Sequence, residues 1–124
     1  MEGVSVREIK FRQTIFINGI FSRFHYWGFI GEGIFHGPID NDSASEQFTG
    51  LRDKNWREIY EGDILQYYHG GGWMPEIFGA VKYFDDWAQF MVGEGTVFTE
   101  YGEKPQPERW EIIGNIHENG ELLK

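Results

Sequence analysis

Apolar and polar residues alternate in short runs along this chain, and the runs are broken by turn residues before any could complete a helix of three turns. Thr14-Ile15-Phe16-Ile17-Asn18-Gly19-Ile20-Phe21 sets Asn-Gly between two apolar runs. That pair readily takes the positive φ values of a type I′ turn, so the segment predicts a β-hairpin. Its first strand is expected from near Val6, with Ile9 and Phe11 on the inner side and Glu8, Lys10 and Arg12 interleaved. The run from Phe24 to Ile30, bounded by Gly31 and Gly33, reads as a further strand.

Residues 31–47 are rich in Gly, Asp, Asn and Ser with little periodicity and are expected to form a loop, with 31–46 the least ordered part of the chain. Phe48, Leu51, Ile59 and Tyr60 flank the polar turn Arg52-Asp53-Lys54-Asn55, a compact two-armed turn. Strands are then expected at Gly62–Tyr68, Gly79–Phe84, Phe90–Val92, Thr96–Tyr101 and Trp110–Ile116. Such a set over 62–116 predicts a small closed or nearly closed barrel of SH3-like type, with Leu65, Tyr67, Val81, Tyr83, Phe90 and Val92 facing inward by period-two alternation. Asn119 is expected to cap a last helical turn through Glu121, Leu122 and Leu123. The whole reads as mainly β with little helix: an N-terminal β-hairpin arm and loop over 1–46, and the barrel with its C-terminal turn over 47–124, in one compact unit.

Five segments resemble the YopX proteins encoded by bacteriophages and prophages. They are Arg7–Arg12, Gln47–Asn55, Glu58–Ile64, Gly79–Tyr83 and Ile112–Asn119, and the central run from Thr49 to Ile64 is the most specific. The resemblance implies an SH3-like barrel in the C-terminal half, a strand-rich N-terminal arm and a phage or prophage origin. It carries no activity with it. Two positions depart from the family pattern. Trp56 stands where Gly is usual, so either the turn differs locally or Asn55 takes the left-handed conformation. Gly120 stands where Pro is usual, which loosens the last turn.

Composition agrees with strands: 18 Ile and Val stand against 7 Ala and Leu, and 22 aromatic residues join them. The net charge of −9 argues against the basic footprint through which proteins hold phosphates. The absence of cysteine removes disulfides, zinc ribbons and thiol chemistry. The opening Met1–Glu8 has no apolar core of a signal peptide, and no stretch approaches the roughly 20 apolar residues of a spanning helix, so a cytoplasmic protein without membrane contact is expected, the cytoplasm being that of a bacterial host as the YopX resemblance implies.

Candidate chemistry is sparse. His25, His36, His69 and His117 lack the close spacing of a metal site. Asp40-Asn41-Asp42 opens like a calcium loop but continues with Ala44, Ser45 and Leu51 where ligands and Gly are needed. Asp85-Asp86 fits a turn better than a carboxylate pair, because sequential strand residues point to opposite faces. No serine has a nucleophile-elbow setting, and Gly70-Gly71-Gly72 lacks the Lys-Ser/Thr of a phosphate loop. No catalytic constellation, metal or cofactor is expected.

The aromatic residues say more. Tyr68 and Phe84 are expected to point out of the barrel, with Trp73 and Trp87 in or beside the flanking turns, as a recognition surface. The competing reading has Phe16, Phe21, Phe24, Tyr26 and Trp27 of the N-terminal arm covering them. The function expected is a non-enzymatic module that binds a protein partner or a second copy of itself. The rival is a nucleic-acid-binding regulator, which requires Arg52, Lys54, Arg57 and Lys82 to gather on the aromatic face.

Overall fold

The computed structural model describes residues 8–30, 34–40, 43–67, 76–86, 88–93, 96–97 and 109–123. They form two five-stranded antiparallel sheets and almost no helix. The first comprises β1 (Lys10–Ile17), β2 (Ile20–Ile30), β3 (Ile34–His36), β4 (Ser45–Arg52) and β5 (Glu58–Tyr60) in the order β3-β2-β1-β4-β5. The second comprises β6 (Asp63–Tyr67), β7 (Glu76–Phe84), β8 (Gln89–Val92), β9 (Thr96–Val97) and β10 (Trp110–Asn115) in the order β10-β6-β7-β8-β9. Both are open among the described residues, where no pairing joins β9 to β10; the rest of the strand expected over Thr96–Tyr101 lies outside the described residues.

The hairpin forms as the turn chemistry predicts, but the expected inner side of its first strand does not hold. β1 starts at Lys10, Ile9 is exposed, and Arg12 and Gln13 are buried because neighbouring segments bring polar partners to them. Asn18 (φ 53°) and Gly19 (φ 78°) both adopt the left-handed region, and Ile17 pairs with Ile20. The two-armed turn is β4 with β5, registered through Phe48 opposite Tyr60 and Arg52 opposite Glu58. The segment expected to be loop throughout contains β3 and the start of β4. What orders its middle is Gln13, a fully buried amide on β1. Its Nε2 donates to the carbonyls of Asp40 and Ser43 (both 3.1 Å), and its Oε1 accepts from the Ile39 amide (2.7 Å). A polar loop is thus held by one side chain from a neighbouring strand, which composition does not reveal.

The main core sits where the two sheets meet. Ile59 of β5 packs with Leu65, Val81, Val92 and Trp110 of the second sheet, and Leu51, Tyr67, Phe90 and Ile112 close around them. Leu65, Val81 and Val92 therefore face inward as the alternation requires, whereas Tyr83 does not: it is 45% exposed near the end of β7, edge-on to Phe90. Strict alternation also fails in the middle of the sheet, where Ile64, Ala80 and Met91 are buried beside their inward-facing neighbours. Both faces of these strands are covered there.

At the C-terminus Gly120–Leu123 forms a 3₁₀ turn. The side chain of Asn119 does not cap it but turns back, its Oδ1 accepting from the Asn115 amide (3.2 Å). Among the described residues no helix is long and apolar enough to cross a membrane.

Candidate functional site

Arg12 lies on β1 opposite Tyr26 of β2 and Glu46 of β4, and its strand runs between both neighbours. A polar, alternating position predicts an exposed side chain, yet Arg12 is 4% exposed. Its Nε donates to Glu46 Oε1 (2.8 Å), and one terminal nitrogen lies 2.9 Å from Asp63 Oδ1 and donates to the Glu61 carbonyl (3.0 Å). The guanidinium stacks 4.0 Å from the ring centroid of Phe24 and 5.0 Å from that of Tyr60. A planar, weakly hydrated cation with five donors suits such a position, and lysine could not fill it.

Asp63 is the buried acid of this pair. Its other oxygen accepts from the Tyr60 amide (2.8 Å). Burial pushes its carboxyl up to about 6, against the opposing pull of Arg12. Tyr60 is driven well above the ordinary tyrosine range by burial and by Glu58, whose Oε1 accepts from the Tyr60 hydroxyl (3.2 Å). Glu58 in turn receives Lys10 and, at 3.4 Å, Arg52. On the far side Glu46 Oε2 meets His117 Nε2 at 3.0 Å, and the imidazole lies parallel to Phe21 with centroids 5.9 Å apart. Gly62 makes room for this arrangement: it sits at φ +86°, and a Cβ there would fall 2.1 Å from Glu46 Oε2. Every buried side-chain nitrogen and oxygen among the described residues has a partner.

Beside this cluster a cleft of about 540 Å³ opens between the first sheet and β10. Arg12, Tyr26, Glu58 and Tyr60 line it from the first sheet, and Ile112–Asn115 with Glu118, Asn119 and the neighbouring Asp63 of β6 form the second wall. The second wall is braced locally. Asn115 Oδ1 accepts from the amides of His117 (2.9 Å) and Glu118 (3.0 Å), an Asx turn, and its Nδ2 donates to Glu118 Oε1 (3.0 Å). Asn119 presses so close on Gly114 that a Cβ there would meet its Oδ1 at 2.5 Å.

Arg57 joins the cleft from the turn between β4 and β5. That turn is organised by buried Asp53, whose Oδ1 accepts from the amides of Asn55 (2.8 Å) and Arg57 (3.0 Å) and whose Oδ2 accepts from Ile112 (3.0 Å). Trp56 itself, not Asn55, occupies the left-handed region (φ 65°), with a side chain 79% exposed. The carboxylate of Asp53 fixes the amides on either side and leaves Trp56 no other course. Trp56→Gly should therefore raise stability by about 1 kcal/mol, read as a later urea midpoint with unchanged slope, because it relieves a Cβ clash and forfeits little packing.

Of the aromatic surface expected from sequence, Tyr68, Trp73 and Trp87 lie outside the described residues, and Phe84 is half-buried at the end of β7. The N-terminal aromatics divide. Phe21 and Phe24 pack round His117, and Trp27 stacks on Phe11 (4.4 Å) and donates to Ser45 Oγ (3.0 Å). Phe16, Tyr26, Phe29 and Phe35 stay exposed. His25 contacts the Gly37 carbonyl (3.0 Å), His36 is exposed on β3, and His69 lies outside the described residues. Asp85 and Asp86 form an exposed turn. Among the described residues no three His, Asp or Glu side chains are grouped as metal ligands. Sequence reasoning missed Arg12, Glu46, Asp63 and His117 as a set. The one local sign was an arginine three residues before an apolar run.

A family model described as YopX protein matches residues 30–124, which takes in Glu46, Glu58, Tyr60, Asp63 and His117 and leaves Arg12 and Tyr26 outside. No curated protein matches the chain significantly. Among solved structures it is similar to the crystal structure of protein EF1440 from Enterococcus faecalis, with a TM-score of 0.53 and 22% identity over 94% of this chain and 98% of that one. At that identity the likeness is one of fold.

Proposed function

The chain belongs to the YopX family, and on that premise we propose that it is a non-enzymatic protein-binding module of phage or prophage origin acting in the cytoplasm of a bacterial host. The five strands β6 to β10 serve as its SH3-like barrel, and the first sheet carries the docking surface.

One observation carries this reading: large apolar side chains stand exposed on the first sheet in two groups, one at each end of β2. At the hairpin tip Phe16 and Ile17 are each 53% exposed and Ile20 is 72% exposed. Phe29 and Phe35, whose rings pack 5.5 Å apart, are half-exposed on paired positions of β2 and β3. Aromatic and aliphatic side chains held on a paired backbone supply contact area at low entropic cost, the property of interface anchors. The Ile17→Asp/Ile20→Asp variant should keep its melting temperature within a few degrees and lose capture of a discrete partner from phage-infected or prophage-induced cells. Retained capture by the hairpin variant, with loss on Phe84→Ser, would move the surface to the barrel side. Loss of self-association in light scattering would identify the partner as a second copy.

Charge placement favours this over the nucleic-acid reading. Arg52 is held by Glu8 (3.2 Å) and Glu58 (3.4 Å), and Arg57 faces Asp53 at 3.6 Å, so two of the four cations that reading needs are paired with acids. Counterion release requires several free Lys or Arg on one surface. Binding to single-stranded or duplex nucleic acid should be weaker than roughly 10 μM at physiological salt in a salt-titrated anisotropy assay. Submicromolar binding there would overturn the ranking.

A further inference from the structure

We propose that this chain forms a weak two-fold dimer in which Trp56 of each copy enters the cleft of the other, a surface separate from the two exposed groups at the ends of β2. Trp56 is 79% exposed and held at φ 65°, so its indole adds little to the packing of its own chain while its backbone carries strain. Strain kept at a protruding aromatic residue points to a contact, and tryptophan is among the side chains most enriched at the centres of interfaces. The three amides bonded to Asp53 fix the turn in advance, which limits the entropy lost on docking.

The cleft suits an uncharged ring. Its buried acids are already neutralised within the chain, Asp63 by Arg12 and Glu58 by Lys10 and Arg52. The space of about 540 Å³ admits an indole beside half-exposed Tyr26 and the partly exposed Ile112 and Ile113. Two charges at the mouth single out a second copy as the occupant. Arg57, its side chain 54% exposed, is bonded to the Ile112 carbonyl at one end of the cleft, and exposed Glu118 is bonded to Asn115 at the other. A two-fold axis across the mouth lays these ends over each other, so Arg57 of each copy meets Glu118 of the other and one patch serves both sides. Trp56, the neighbour of Arg57, is then carried to the Asn115 end. Tyr26 lies at that end: it is opposite Arg12 on the sheet, and Arg12 is bonded to Asp63, the strand partner of Asn115. The charge of −9 on each copy opposes association, and a dissociation constant on the order of 100 μM is expected.

Sedimentation velocity of the full chain from about 10 μM to about 1 mM should show the mean mass climbing from 14.5 kDa towards twice that value. Over the same range the amides of Gly114, Asn115 and Glu118 and the indole proton of Trp56 should shift together in NMR spectra. Trp56→Gly should weaken the association at least about thirtyfold while gaining stability, so its loss of contact is not a loss of fold. Arg57→Glu and Glu118→Arg should each be monomeric alone and dimerise when mixed in equal amounts, because only the mixed dimer restores both ion pairs. A chain that stays monomeric at about 1 mM, or a Trp56→Gly variant that associates like its parent, would overturn the assignment. Concentration shifts at Ile17 and Ile20 in place of the cleft amides would overturn it too and give self-association to the hairpin. Trp56→Gly decides the matter even if Arg57→Glu, which faces Asp53, does not fold.

Discussion

Arg12→Met should lower the unfolding free energy by about 3 to 5 kcal/mol at pH 7, the usual cost of removing one partner from a buried ion pair. The substitution keeps most of the aliphatic volume while removing the guanidinium, so the loss reports mainly the charges left behind, with a smaller share from the lost stacking on Phe24. Asp63, 3% exposed, would stay buried with only the Tyr60 amide to satisfy it, and Glu46 would retain only His117. The pH dependence distinguishes this from a packing defect. Asp63 already titrates at about 6 in the fold, above its ordinary value of 3.8, because burial outweighs Arg12. A raised carboxyl means that the folded state holds more protons than the unfolded one between about pH 4 and 6, so the contribution of Asp63 to stability falls as pH rises through that window. Removing Arg12 raises the carboxyl further. The penalty of Arg12→Met should therefore shrink from pH 7 to pH 4, as urea titrations at the two values would record. An equal penalty at both would mean that the guanidinium matters only for packing.

Val81→Asp should be as damaging, at about 4 kcal/mol, because it buries an unpaired carboxylate in a wall made of Ile59, Leu65, Val92 and Trp110. Val81 is 1% exposed and pairs with Val92 on β8. Its neighbour Lys82 is exposed on the same strand, so Lys82→Asp should stay within about 0.5 kcal/mol of the parent. The pair reads the register of β7 directly. Equal losses would mean that Lys82 faces something the fold assigns to Val81.

Much of the architecture was legible because it rests on short-range preferences. Asn18-Gly19 turns the hairpin through backbone conformations that those two residues adopt at little cost. The polar turn after Arg52 folds on the carboxylate of Asp53, which reaches amides 2 and 4 residues ahead. Leu65, Val81 and Val92 announce the inner face of the second sheet by alternation alone. Tyr83 shows where that rule stops: its strand has run past the region the core covers, and period two says nothing about where cover ends.

The candidate site was decided by tertiary structure. Arg12 is bonded to Glu46 across 34 positions of sequence, and Glu46 is bonded to His117 across 71. Read locally, each of the three is an ordinary polar residue on a strand or turn. Burial of a charge depends on whether opposite charge and aromatic faces arrive from other strands, and no nearby residue encodes that arrival. Trp56 is the same lesson for the backbone. Propensity disfavours a bulky residue at positive φ, but the three amides gathered by buried Asp53 hold the turn in place and Trp56 takes the conformation that remains. The hairpin turn, the other turns and the inner positions of the second sheet were readable along the chain, because they follow from the steric preferences of adjacent residues and the period of a strand. The packing of one sheet against the other decided which charges are buried, which aromatics stay in water and where the cleft opens, because those depend on the free energy of contacts between segments far apart in the chain.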